Sequence, residues 1–232
     1  MIINILHLVE GARKASGLTV IIDVFRAFST ACYAFDQGAV KLHPVADVKE
    51  AFRMKQDDPD VILMGEINEK IIPGFDFGNS PSHILDVDFT GKTIVQRTSA
   101  GTQGLVNATN ADEILTGSFV NVSAIVDYIR HQGPEVLSLV CMGYSARHRI
   151  EEDTLLAEYI KNELTGETND FESIVSTIRH SSGQRFFDPA NAGHSPPGDF
   201  DLCLKLDAFD FVLKVSRIED LITLHKVAQR IP

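Results

Sequence analysis

The strongest constraint on this chain is a repeated alternation of a short apolar β-rich run, a polar segment with glycine, and a helical run. Leu18 to Val24 is β-rich. A helical stretch follows from about Arg26 to Gln37, closed by Gly38. Val40 to Val45 reads as a strand, and Asp47, three residues before Glu50, suits a helix start running to about Lys55. Val61 to Met64, Thr93 to Gln96, Glu113 to Leu115 and Val136 to Cys141 read as further strands. Helices are expected at Val122 to His131 and Ile150 to Leu164. Towards the end, the pattern predicts a helix at Phe171 to Arg179, a Gly/Pro/Asn-rich loop at Gly183 to Gly198, a strand at Phe209 to Val215 and a closing helix at Ile218 to Arg230. The fold class is therefore α/β, a mixed or largely parallel sheet covered by helices on both faces. In such sheets sites gather at the carboxyl ends of strands. The polar segments Asp23–Arg26, Gly65–Ser80, Thr98–Thr102, Gly117–Asn121 and Gly143–Asp153 all sit there.

The 232 residues, 44% of them hydrophobic, suit one α/β domain over 1–232 or two packed lobes, and no linker divides them. A net charge of -11 argues against a nucleic-acid partner, which needs a broad Lys/Arg surface. It leaves room for a small anion held by a few arginines, and for a divalent cation on the surplus carboxylates. Cys32, Cys141 and Cys203 are an odd, widely spaced set without CxxC, so a reducing, cytoplasmic setting is expected rather than a disulfide framework. The apolar start is too short for a signal, and no run of ~18 apolar residues suggests a membrane span. A homodimer is the expected assembly on base rates alone.

Several constellations could carry chemistry. Asp23 and Arg26 lie at a strand end, where a carboxylate can bind metal and a guanidinium can grip a phosphoryl group. A local Asp–Arg ion pair is the bland alternative. Glu66 could ligate magnesium. Asn79 and Ser80 precede Pro81 at a helix start whose free N–H groups could hold an anion or merely be capped. Thr98, Ser99, Gly101 and Thr102 form a small-residue turn that could cradle a phosphate, without the GKS/T ending of a nucleotide loop. Ser118 and Asn121 follow another strand. Glu152 and Asp153 open a helix, where acidic residues are often only partners of the helix dipole. Cys141 and Arg147 have the five-residue separation of a thiolate phosphatase, but Val140 and His148 stand where such enzymes usually carry a His and a hydroxyl. HExxH, GxSxG and DxD followed by Thr near Asp23 are all absent from the sequence.

The ordered series IDVFRA, GE followed by PGFDFGNSP, TSAGTQGL, GS with Asn121 close behind, and C-x-G ending in EED with Ala157 resembles the 2-phosphosulfolactate phosphatase family. The resemblance covers about Val20 to Ala157. It implies magnesium-dependent (Mg2+) hydrolysis of 2-phospho-3-sulfolactate to 3-sulfolactate and phosphate, a step in coenzyme M biosynthesis. Carried over residue by residue, Asp23, Arg26, Glu66, Asn79, Thr98, Gly101, Ser118, Asn121, Glu152 and Asp153 stand at motif positions. The expected catalytic set is Asp23, Arg26, Glu66, Glu152 and Asp153. Asn79, Ser80, Thr98, Ser99, Gly101, Thr102, Ser118 and Asn121 are expected to bind substrate, and Asp23, Glu66 and Asp153 to hold the metal. Two positions depart from the family pattern: Ile67 replaces an Arg after Gly-Glu, and Ala100 replaces an Asn before Gly101. The competing readings are a Cys141/Arg147 thiolate phosphatase and a non-catalytic phosphometabolite-binding protein.

Overall fold

The computed structural model describes residues 1–218 and 221–228. The strands are β1 (Ile2–His7), β2 (Gly17–Ile22), β3 (Lys41–Val45), β4 (Ile62–Ile67), β5 (Lys70–Ile71), β6 (Thr93–Arg97), β7 (Ala111–Gly117), β8 (Val136–Cys141), β9 (Phe211–Ile218) and β10 (Leu221–Ala228). The helices are α1 (Leu8–Lys14), α2 (Ala27–Asp36), α3 (Val48–Asp57), α4 (Gly101–Asn107), α5 (Val122–Gln132), α6 (Glu151–Thr165), α7 (Phe171–Arg179) and α8 (Pro197–Cys203). The strands form one mixed sheet in the order β1-β8-β2-β7-β9-β10-β3-β6-β4-β5.

Alternation along the strands builds a core on each face. Ile21, Val140, Leu213 and Leu224 pack with Ala12 of α1, the apolar side of α2 and Leu105 of α4. Leu18, Val20, Ile22, Leu137 and Leu139 face the other way, onto Ile125 and Ile129 of α5 and Leu156 and Ile160 of α6. A smaller cluster seats α3 on β3, β4 and β6 through Ala51, Val45, Leu63 and Val95. The α/β expectation with helices on both faces therefore holds.

Two parallel groups make up this sheet. One is β1, β8, β2 and β7; the other is β3, β6 and β4. The antiparallel hairpin β9–β10 joins them, meeting β7 at Leu115↔Lys214 and β3 at Leu224↔Leu42. Tracing these pairings gives the groups opposite nominal directions. Even so, the loops after β2 and β6 meet, the Gly101 N–H donating to Asp23 Oδ2 at 2.7 Å. Close packing reinforces it: a Cβ added at Gly104 of α4 would lie 2.5 Å from Ile21 Cγ2 and 2.6 Å from Met142 Sδ. Glycine there lets the helix after β6 rest directly on β2.

One predicted element is overturned. The expected closing helix from Ile218 is strand β10, paired with β9 from Leu221↔Ile218 to Ala228↔Phe211. Residues 219–220 and 229–230 of that stretch lie outside the described residues. Ile218, Leu221 and Ile222 mimic one helical face, yet Ile218 and Leu221 are 74% and 43% exposed. The alternating pair Ile222 and Leu224 is what the core buries. The expected loop at Gly183–Gly198 folds into 3-10 turns at Ser182–Phe187 and Pro189–Asn191 before α8.

This assignment predicts that Leu224→Ala lowers stability by about 2–5 kcal/mol in urea unfolding, the cost of a cavity in a closed core. Leu221→Ala should cost no more than about 0.5 kcal/mol, as an exposed substitution. Equal costs would contradict the central-strand placement.

Candidate active site

One cleft lies where the loops after β2, β6 and β8 meet the end of β4. Asp23, Arg26, Glu66, Asn79, Thr98, Ser99 and Ala100 line it, together with Gly143, Tyr144 and Arg185. The Gly117–Asn121 segment does not reach it. Ser118 sits beneath α2, its Oγ 2.6 Å from Ser29 Oγ. Asn121 ties the sheet together by donating from Nδ2 to Phe211 O at 3.0 Å.

Carboxylates and loop amides hold the cleft together. Asp23 Oδ2 accepts the Gly101 N–H at 2.7 Å, and Oδ1 accepts the Ala27 N–H at 3.4 Å. Glu66 Oε1 accepts the Ser99 N–H at 2.9 Å, and Oε2 accepts the Glu69 N–H at 2.7 Å. Thr98 Oγ1 accepts the Thr102 N–H at 3.0 Å and so caps α4. The Thr98–Thr102 turn was expected to offer its amides to a phosphate. Two of them instead serve the protein's own carboxylates, leaving the Ala100 N–H without a partner among the described residues. Gly101 is required for this approach, since an added Cβ would lie 2.9 Å from Asp23 Oδ2 and 2.9 Å from Phe28 Cζ.

The helix start at Pro81 behaves the same way. Ser80 Oγ donates to Asp199 Oδ1 at 2.9 Å, and the Ser82 N–H donates to the same oxygen at 2.9 Å. Asp199 therefore takes the anion position at that start, with Ser80 behind it rather than on the cleft wall. Asn79 does line the cleft, and its amide bridges Gln96 Nε2 and Arg97 O.

Arg26 makes no local pair with Asp23. Its Nη1 meets Asp199 Oδ2 at 2.6 Å, with side chains only 4% and 0% exposed, and also donates to His194 O at 2.7 Å. The ~0–1 kcal/mol typical of an exposed ion pair does not apply to one this buried. Removing one partner of a buried ion pair costs about 3–5 kcal/mol, because it strands the other charge.

Asp153 and Glu152 stand behind the wall. Asp153 Oδ1 accepts the Val24 N–H at 3.0 Å and Oδ2 the Gly143 N–H at 2.8 Å, tying the loop after β2 to the loop after β8. Glu152 accepts from Ser182 Oγ and faces Arg185 Nη2 at 3.8 Å. The structure thus gathers Asp23 and Glu66 on the cleft and leaves Asp153 outside it. Among the described residues no group of three or more His, Cys, Asp or Glu side chains is placed to hold a metal ion.

Burial dominates the electrostatics. It pushes Asp23 up to about 7, with Glu66 and Glu152 repelling its charge further and the Ala27 and Gly101 N–H groups opposing the shift. Burial, Glu152 and Asp23 push Asp153 well above the usual carboxylate range, and burial raises Glu152 as well. Cys141 is buried, and its Sγ donates to Asp153 O at 3.4 Å. Burial and Asp153 push its thiol up, away from thiolate, while Arg147 lies exposed. The thiolate reading fails on both counts. Ile67 is 43% exposed and does not itself line the cleft, although Glu66 and Asn68 on either side do.

Sequence reasoning missed Arg185, Glu69, Tyr144 and Asp199. Arg185 and Asp199 fall in the stretch without periodicity or motif, and their partners are far away in sequence.

The pattern described as 2-phosphosulpholactate phosphatase matches residues 4–217. A protein of Carboxydothermus hydrogenoformans is 33% identical over 91% of this chain and 92% of its own length. One of Bacillus subtilis is 31% identical over 90% and 92%, and one of Thermotoga petrophila is 35% identical over 70% and 75%. Each carries the description "Probable 2-phosphosulfolactate phosphatase".

The Asp23 environment fixes a pH effect on the metal-free protein. A carboxyl whose folded pKa is about 7, against 3.8 for the free group, binds its proton more tightly when folded. The associated stability is complete below the free value and is lost as pH rises through 7. Asp23→Asn removes this loss. Without divalent cations its thermal midpoint should exceed that of the wild type by more at pH 8 than at pH 5. A gap that narrows with pH would contradict the assignment.

Proposed function

The chain belongs to the 2-phosphosulfolactate phosphatase family, and from that premise we propose that its cleft hydrolyses 2-phospho-3-sulfolactate to 3-sulfolactate and phosphate. The observation carrying this reading is the pairing of Asp23 with Glu66 on one cleft wall, each held by an amide of the Ser99–Gly101 turn.

Magnesium fits these residues. Both offer hard oxygen donors, and Asp23 is pushed up to about 7 by burial beside like charges, the mark of a carboxylate cluster short of a cation. Magnesium binds through one or two carboxylates together with substrate phosphate and water, so Asp23 and Glu66 suffice without a third ligand. When bound, the ion would neutralise phosphoryl oxygens and orient a water for in-line attack. The chain's own groups do the rest. The unpartnered Ala100 N–H donates to a phosphoryl oxygen, and the guanidinium of Arg26, fixed by Asp199, adds positive charge at the wall. Phe25 and Tyr144 line one side of the cleft.

We place the reaction in coenzyme M biosynthesis, in a cytoplasmic homodimer. The free, buried state of Cys32, Cys141 and Cys203 supports a reducing setting, and base rates support the dimer. Among the described residues no helix is long and apolar enough to cross a membrane.

The test is phosphate release from 2-phospho-3-sulfolactate and a panel of other small esters. Turnover is expected with magnesium, falling at least about tenfold with EDTA and returning on re-addition, as loss of a metal's charge stabilisation implies. Undiminished turnover in EDTA would remove the metal from the mechanism. No release from any ester would refute the hydrolase reading.

A further inference from the structure

Arg185 shares the cleft with Arg26, but its guanidinium is held in a different way. Arg26 is locked to Asp199 and to backbone carbonyls. Arg185 Nε lies 3.1 Å from Glu69 Oε1, off hydrogen-bond geometry, and is buried without a hydrogen-bond partner among the described residues. Its Nη2 reaches Glu152 Oε1 only at 3.8 Å, and that oxygen is likewise unpartnered. Nη1 donates to Ser182 O at 3.2 Å. Aromatic rings fix the plane: Arg185 Cζ lies 5.4 Å from the Phe25 centroid, 5.0 Å from Phe186 and 5.7 Å from Tyr144. The result is a cation oriented by stacking, with donor capacity left over, on the wall of a cleft.

Its position relative to Glu66 matters. Glu69 donates its N–H to Glu66 Oε2 at 2.7 Å and presents Oε1 to Arg185. Ser195 Oγ donates to Glu69 Oε2 at 3.0 Å and pins that carboxylate. Arg185 thus lies next to Glu69, whose N–H holds Glu66, on the same cleft wall as the Asp23–Glu66 pair. A partly buried guanidinium whose Nε has no hydrogen-bond partner among the described residues favours an oxyanion there, because a planar fork matches a carboxylate or sulfonate edge.

We propose that Arg185 binds the second acidic group of the substrate, a carboxylate or sulfonate carried beside the phosphate ester, and so selects acid-bearing esters over neutral ones. The proposal rests on the phosphatase reading for the identity of the substrate. Arg185 is a binding residue in this scheme, with Glu69 and Ser195 positioning it.

Calorimetric titration of the magnesium-loaded protein tests this. 3-Sulfolactate, inorganic phosphate, lactate and 2-hydroxyethanesulfonate are the probes, against wild type, Arg185→Gln and Arg185→Lys. Arg185→Gln should weaken 3-sulfolactate at least tenfold and phosphate less than threefold, with Arg185→Lys recovering part of the loss. The probe that loses affinity alongside 3-sulfolactate identifies the acid group, lactate for the carboxylate and 2-hydroxyethanesulfonate for the sulfonate. Retained phosphate binding reports an intact cleft. If Arg185→Gln does not fold, Arg185→Lys alone decides, by weakening 3-sulfolactate more than phosphate. Equal weakening of both ligands, unchanged 3-sulfolactate affinity, or a wild type that does not bind 3-sulfolactate would overturn the proposal. Selective binding without phosphate release from any ester would instead refute the hydrolase reading and leave Arg185 in place.

Discussion

The structure depends on buried carboxylates that accept N–H groups from loops following other strands. Asp23 after β2 holds Gly101 after β6, and Glu66 at the end of β4 holds Ser99. Asp153 at the head of α6 joins the loops after β2 and β8. These bonds bring together strand ends that the pairing pattern alone would place apart. Carboxylate-to-amide hydrogen bonds are charge-assisted and strong, but they favour the ionised form, and burial opposes it. Burial prevails at Asp23, Glu152 and Asp153. These carboxyls therefore hold their protons more tightly than free ones do, and the proposed cation site rests on that surplus of buried carboxyl groups.

The same chemistry explains where the anions sit. Turns rich in small residues and helix starts do attract anions, as the Thr98–Thr102 and Ser80–Pro81 segments suggest. Here the anions are side chains of the chain itself: Asp23, Glu66 and Asp199. Arg26 follows the same logic. Its charge answers Asp199 inside the protein, so its contribution at the cleft is a fixed field rather than a free fork. Among the described residues, the Ala100 N–H, between two engaged amides, and Arg185 Nε line the cleft without a hydrogen-bond partner.

Much of this was legible in the sequence. Strong periodicity placed β2, β8, α5 and α7 to within a residue or two, and polar residues after strands singled out Asp23, Glu66 and the turn before α4. β10 was misread because Ile218, Leu221 and Ile222 fit a helical spacing, while its true partner, β9, supplies the burial that decides between strand and helix. Asp199 and Arg185 were invisible for another reason. A lone charge in a Gly/Pro-rich stretch carries no pattern, and Asp199 acquires meaning only through distant partners, Arg26 173 residues away and Ser80 119 residues away. Ser118 and Asn121 occupy motif positions after β7, yet the fold uses them to fasten α2 and β9.

The central claim is that the carboxylate clamping the Gly101 turn also acts on the phosphate. The most direct measurement is kcat of folded Asp23→Asn with saturating magnesium and 2-phospho-3-sulfolactate, beside the wild type. Asparagine keeps the size and one acceptor for the Gly101 N–H but loses the charge. The account predicts a fall of about a hundredfold or more, the scale of losing one electrostatic contact to the transition state. A rate within about threefold of the wild type would contradict it, because Asp23 would then be only a structural clamp.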